Sequence, residues 1–128
     1  REPLQICESA HSTGEIGNGI KEQALILETT QGLVIITGCA HPGIVNMVRA
    51  AQEMRDEGVH LVLGGFHLGS ASQRQIEGIV AAFRRLGVQR IAPCHCTGDQ
   101  ARRVFADAYG TDCTLAGVGW KTRIGSGE

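Results

Sequence analysis

Three times along this chain an apolar run ends in glycine or proline, a histidine follows within a few residues, and a stretch with helical spacing comes next. The junctions are Ile35-Ile36-Thr37-Gly38-Cys39-Ala40-His41, Leu63-Gly64-Gly65-Phe66-His67 and Ile91-Ala92-Pro93-Cys94-His95-Cys96. Ahead of the first junction, residues 23–28 and 32–37 read as two strands joined by Thr29-Thr30-Gln31, close enough to predict an antiparallel hairpin. Val34, Ile35 and Ile36 form a continuous apolar block, as a strand covered on both faces would. After Pro42, placed where a helix would begin, Ile44, Val45, Val48, Ala51 and Met54 keep helical spacing up to Gly58.

A second unit follows. Residues 59–63 predict a strand, and Ser72 with Gln75 three positions on predicts a capping box. The helix it opens buries Ile76, Ile79, Val80, Phe83 and Leu86 and ends at Gly87. The third unit is a strand over 90–92, then Thr97 with Gln100 as a further cap, an apolar face of Ala101, Val104, Phe105 and Ala108, and a stop at Gly110. The first nineteen residues read as polar and turn-rich, and residues 113–124 as one or two closing strands. Strand–helix alternation of this kind predicts an α/β fold with a sheet whose strand ends share one crevice, where ligands bind.

Bulk properties narrow the chemistry. At 128 residues the chain is one domain's worth, and a net charge of −1 offers no footprint for nucleic acid or an acidic membrane. No apolar stretch approaches the roughly 20 residues of a membrane span, and the opening residues show no signal-peptide pattern. Five cysteines, an odd count, fit a reducing cytoplasm better than a disulfide framework. Glycine is abundant, at 18 residues, and Gly38, Gly64, Gly65 and Gly98 cluster at strand ends. The expected partner is a small-molecule substrate.

Three imidazoles and several thiols at neighbouring strand ends make a metal site the leading expectation, with His41, His67 and His95 as ligands drawn from different loops. No His-x-His or Cys-x-x-Cys pair anchors an ion locally. Cys39 and Cys94 are secondary candidates, as ligands or as nucleophiles at a helix N-terminus with a histidine base at hand. A cysteine-nucleophile enzyme is thus a competing reading. G-x-G-x-x-G, P-loop and G-x-S-x-G motifs are absent. His11 reads as a loop residue, His60 as a strand-edge residue and Trp120 as packing. Arg84, Arg85, Arg102 and Arg103 read as solvated helix faces, with Arg102 able to reach an anionic substrate.

Longer strings say more than spacing. Thr13-Gly14-Glu15-Ile16, Glu22-Gln23-Ala24-Leu25, Thr37-Gly38-Cys39-Ala40-His41-Pro42-Gly43-Ile44-Val45-Asn46, Gly64-Gly65-Phe66-His67-Leu68 and Ala92-Pro93-Cys94-His95-Cys96-Thr97-Gly98 occur in this order. In these the chain resembles the C-terminal half of metallo-β-lactamase-superfamily hydrolases, in the branch like the dihydropterin ribofuranosyl-aminobenzene phosphate synthases of the methanopterin pathway. The resemblance implies a single domain over residues 1–128 that is part of an αββα sandwich, with one or two zinc, iron or manganese ions at one edge.

The resemblance further implies that His41 and His95 are ligands and that His67 lies at the site rim. Cys39 falls where many relatives place a bridging carboxylate. It implies attack on a phosphoester or related small molecule by a metal-bound hydroxide. The superfamily's H-x-H-x-D-H motif belongs to an N-terminal half, and nothing here resembles it, so an incomplete site is expected. The rival expectation is a non-enzymatic module of the same fold, partnered by a second copy or by the missing N-terminal half.

Overall fold

The computed structural model describes residues 4–7, 9–17, 21–55, 57–94 and 97–114. Six strands form one mixed sheet in sequence order: β1 (Leu4–Cys7), β2 (Ala10–Ser12), β3 (Leu25–Thr29), β4 (Gly32–Thr37), β5 (Val59–Gly64) and β6 (Arg90–Pro93). The first four pair antiparallel, and β4, β5 and β6 pair parallel. Helix α1 (Ile44–Met54) connects β4 to β5, α2 (Gln73–Arg85) connects β5 to β6, and α3 (Asp99–Tyr109) follows β6. Crossovers that step the same way across a sheet put their helices on the same face, and all three helices share one core here.

That core explains the spacing seen in the sequence. Ile44, Met47, Val48 and Ala51 of α1, Ile76, Val80 and Phe83 of α2, and Ala101, Phe105 and Tyr109 of α3 meet Leu33, Ile35, Val62 and Ile91 of the sheet. Phe66, from the loop after β5, enters edge-on between Phe83 and Phe105, with ring centroids 6.1 and 5.4 Å away. The opposite sheet face carries a smaller cluster of Val34, Leu61 and Ala92, flanked by the half-buried Leu27, Ile36, Leu63 and Cys94. The expectation that β4 is covered on both faces therefore holds for Leu33, Val34 and Ile35, while Ile36 is only half-buried. No helix among the described residues is long and apolar enough to cross a membrane.

Several local expectations are met and others corrected. The capping box of α2 is present, with Ser72 Oγ accepting from Gln75 N–H at 3.1 Å and Gln75 Oε1 accepting from Ser72 N–H at 2.8 Å. Helix α1 begins at Ile44 and not at Pro42, because Gly43 holds a φ of 101° that is outside the helical region. Thr97 does not cap α3; Gly98 stands at the cap and the Thr97 side chain is spent inside the loop layer.

The turn-rich opening contains two strands, β1 and β2, which are short and take their extended form from pairing outward from β3. His11 therefore lies in β2, not in a loop. His60 lies in β5, which has neighbours on both sides, and not at a sheet edge. Cys113 makes a parallel bridge to Ile91. The closing strands expected beyond Thr114, with Trp120, lie outside the described residues.

Candidate metal centre

The carboxyl ends of β4, β5 and β6 are stitched into one layer by backbone contacts. Gly65 N–H donates to Gly38 O at 2.9 Å, and Thr37 Oγ1 donates to Gly65 O at 2.9 Å, tying the loop after β5 to the end of β4. Cys94 N–H donates to Gly64 O at 2.8 Å, which ties in β6. Thr97 completes the layer: its Oγ1 accepts from Phe66 N–H at 3.1 Å and its carbonyl from Leu68 N–H at 3.1 Å.

Two glycines make this close approach feasible. A Cβ on Gly64 would lie 2.2 Å from Thr37 O, and one on Gly98 would lie 2.8 Å from Gly69 Cα.

On this layer stand His41 and His67. His67 is flanked by the core anchor Phe66 and takes a left-handed φ of 51°, an uncommon conformation for a residue with a Cβ. Ala40, just before His41, has a φ of 60°. The two imidazole rings come to a centroid separation of 4.2 Å at an interplanar angle of 50°. Both residues are exposed, and the His41 side chain is 28% exposed.

The side chain behind His41 is Glu22, which the reading of candidate residues missed. Its Oε1 accepts from Cys39 N–H at 3.2 Å and Ala40 N–H at 2.9 Å. Its Oε2 accepts from His41 N–H at 2.7 Å and from His41 Nδ1. Burial, the largest single influence, pushes the Glu22 carboxyl upward, but the hydrogen bonds from His41, Ala40 and Cys39 together hold it below the usual carboxylate range. An ionised carboxylate only accepts, so Nδ1 of His41 carries a proton, and in the neutral ring Nε2 is then the nitrogen with the lone pair.

Cys39 is half-buried and donates its backbone N–H to Glu22. Cys94 is half-buried and packs with the Val34, Leu61 and Ala92 cluster on the far sheet face. Neither residue stands in the first turn of α1 or α3, which start at Ile44 and Asp99, so the dipoles of these two helices do not act on them at first-turn range.

Arg102 is taken up by Asp99 at 3.4 Å, and Arg84 donates to Ala108 O at 2.6 Å and lies over the Tyr109 ring. His95 and Cys96 lie outside the described residues. A cavity of about 290 Å³ between α2 and α3 is lined by Gln73, Glu77, Val80, Val104, Asp107 and Ala108, with no histidine or cysteine.

Among the described residues no three His, Cys, Asp or Glu side chains gather as a complete ligand set. What the layer does offer is a pair of imidazoles at adjoining strand ends, one with its second nitrogen fixed by a carboxylate. Metal-binding histidines are held in this way, so the donor chemistry fits part of a metal shell.

Comparison with known proteins agrees with this architecture. No family model matches the chain. The chain is 39% identical over 92 residues to the 7,8-dihydropterin-6-methyl-4-(β-D-ribofuranosyl)-aminobenzene-5'-phosphate synthase of Methanocaldococcus jannaschii, covering 71% of this chain and 31% of that protein. It is 40% identical over 68 residues to an uncharacterized protein of the same organism, covering 53% of this chain and 25% of that one. Among solved structures, a metal-dependent hydrolase of the β-lactamase superfamily superposes with a TM-score of 0.87 at 32% identity, over 98% of this chain and 57% of that chain. The chain thus spans about a third or less of the curated relatives and little more than half of the structural neighbour. The mixed sheet with its helical layer is a close match to the β-lactamase-superfamily fold, and the resemblance carried by the motifs stands.

Proposed function

We propose, from this kinship with the metallo-β-lactamase superfamily, that the loop layer above β4, β5 and β6 forms part of a metal centre in a metal-dependent hydrolase. The substrate class is a phosphoester or related small molecule. The observation that carries the reading is the approach of the His41 and His67 rings to 4.2 Å at the ends of adjacent parallel strands, with the His41 Nδ1 committed to Glu22. Two imidazoles with available ring nitrogens suit zinc, iron or manganese. His41 and His67 would hold the ion, joined by His95 from the junction after β6. When bound, such an ion supplies Lewis acidity and acidifies a water molecule.

This chain's own residues supply placement. Glu22 keeps the His41 proton at Nδ1, and the stitched glycine-rich backbone brings the loops close enough to serve one substrate group. One relative is named a synthase of a ribofuranosyl phosphate product, which supports group transfer on a phosphorylated small molecule as the alternative outcome of the same chemistry. Hydrolysis and transfer would differ in the acceptor, not in how the electrophile is held. Cys94 and Cys113 are free thiols, in keeping with a cytoplasmic setting.

Elemental analysis of protein purified without chelators, beside a His41→Ala, His67→Ala double variant, tests the reading. One or two ions per chain, lost in the variant, are expected. An equal metal content in both proteins, or none in either, would overturn it. A non-enzymatic, self-associating module is the second reading, favoured by the half-buried Leu27, Ile36 and Leu63 and the exposed Ile6 of β1. A stable dimer with substoichiometric metal in light scattering would support that one instead.

A further inference from the structure

The Glu22-Gln23-Ala24-Leu25 string supplies no ligand in the reading above, yet its first residue holds one of the histidines that would. The geometry points to Glu22 as the positioning residue that sets the tautomer and orientation of His41, so that Nε2 is the nitrogen offered to a ligand. The consequence for a metal rests on the reading above; the hydrogen-bond arrangement itself does not.

The arrangement works in three steps. Glu22 is itself fixed, because it exchanges two backbone hydrogen bonds with Ile16: Ile16 N–H to Glu22 O at 2.7 Å and Glu22 N–H to Ile16 O at 3.1 Å. Its carboxylate then fills a concavity of three successive backbone N–H groups, from Cys39, Ala40 and His41, which the left-handed Ala40 makes possible. Such concavities bind anions, and here the anion comes from the chain itself.

With each oxygen holding two donors, the carboxylate cannot turn away from the His41 ring. The fourth donor is Nδ1, so the ring is held by an element nineteen residues upstream in sequence. A neutral imidazole left to itself does not have its proton assigned in this way. Glu22 removes that freedom and leaves the Nε2 lone pair on the part of the ring it does not hold. A role limited to fastening the 39–41 turn would need only the three backbone bonds, and the ring contact is what exceeds it.

The test is long-range proton–nitrogen correlation NMR of the histidine rings in the full metal-free chain, for the wild type, Glu22→Gln and Glu22→Asp. Thermal melts are recorded alongside. We expect His41 in the wild type as a single Nδ1–H tautomer. Glu22→Gln should give a mixture or the Nε2–H form while the fold is retained, and Glu22→Asp should restore part of the wild-type signature.

A zinc titration of the same proteins should show roughly 10–100-fold weaker binding in Glu22→Gln. A wild-type His41 found as the Nε2–H tautomer would overturn the proposal even if the Gln variant failed to fold. So would a folded Gln variant with an unchanged tautomer. If the wild type shows the Nδ1–H tautomer but no variant binds zinc, the metal reading falls and the assignment of Glu22 stands. If zinc binds equally to the wild type and the Gln variant, with the tautomer unchanged, Glu22 falls and the metal reading stands.

Discussion

Two Glu–His pairs serve the two ends of the hairpin formed by β3 and β4, and they could hardly be put to more different use. Near the end of β3, Glu28 Oε2 lies 2.5 Å from His11 Nε2, and Arg55 closes over them with Nη2 3.0 Å from that nitrogen and 3.5 Å from Nδ1. The His11 side chain is only 3% exposed. At the other end, past the close of β4, Glu22 takes one nitrogen of His41, whose side chain is 28% exposed and whose neighbour is another imidazole. The same two residue types thus make a closed strut in one place and a half-open donor in the other. What separates them is not the pairing but the remainder: His11 has no nitrogen clear of Arg55 and Glu28, while His41 has one. A carboxylate beside a histidine is therefore weak evidence for a site, and the state of the second nitrogen is the stronger observation.

The largest expected effect comes from the glycines beneath the two ends. Gly64, with a φ of 132°, lies against the end of β4, and Gly32, with a φ of 128°, lies at its start. An added Cβ would meet Thr37 O at 2.2 Å in the first case and Gly58 O at 2.8 Å in the second. Both changes force a side chain into a backbone conformation it resists and against a backbone oxygen, and the collision is the closer one in Gly64→Ala. We expect Gly64→Ala to cost roughly 3–5 kcal/mol and Gly32→Ala roughly 2–3 kcal/mol. Urea denaturation of both variants checks this. A Gly32→Ala cost equal to or above that of Gly64→Ala would mean that the stitched loop layer gives way more easily than its contacts imply.

The sequence showed one of these ends far better than the other. The hairpin, the strand–helix units and the Ser72–Gln75 cap are local patterns, so periodicity and turn chemistry were enough to find them. The junction histidines were legible because parallel strands deliver their following loops to one edge, and His41 and His67 do meet there. Glu22 was not legible as a site residue, because its role depends on a turn nineteen positions later whose N–H groups converge only in the fold. Strands β1 and β2 were missed for a related reason: three or four residues carry no period, and pairing with β3 is what extends them. His11 is hidden in the same way as β2, since nothing near it in sequence announces Glu28 or Arg55 as its partners. Thr97 looked like a cap because Gln100 follows at the right spacing, yet its hydroxyl serves Phe66 across the loop layer.

A crossed pair of substitutions tests the comparison directly. His11→Ala removes a buried ring that two charged side chains surround, and we expect a loss of about 1–3 kcal/mol with zinc affinity unchanged. His41→Ala removes a half-exposed ring that no cation among the described residues closes over, and its effect on stability should stay within about 0.5 kcal/mol while zinc binding is lost. Chemical denaturation and zinc titration of the two variants give four numbers, and the expected pattern is strictly crossed. If His41→Ala were the more destabilising of the two, the open end of the hairpin would be a strut after all.

The smallest effect we expect lies within the closed pair. Arg55 joins Glu28 through Nε at 3.1 Å, but its side chain is 40% exposed and that of Glu28 is 30% exposed. The Nε atom is itself shielded, but water reaches the rest of both side chains, and ion pairs this exposed contribute about 0–1 kcal/mol. Arg55→Gln removes the charge and, with its shorter side chain, the Nη2 contact to His11, and the expected loss is still below about 1 kcal/mol. Because the contact is partly solvated, added salt should shrink that loss further, as the Debye length falls from about 10 Å at 0.1 M to about 3 Å at 1 M. Urea midpoints of the wild type and Arg55→Gln at the two salt concentrations measure both quantities. A loss above about 2 kcal/mol that salt leaves unmoved would exceed what an exposed pair supplies. In that case His11, Glu28 and Arg55 would act as one desolvated unit, and the exposure of Arg55 would be a poor guide to how tightly that end of the sheet is closed.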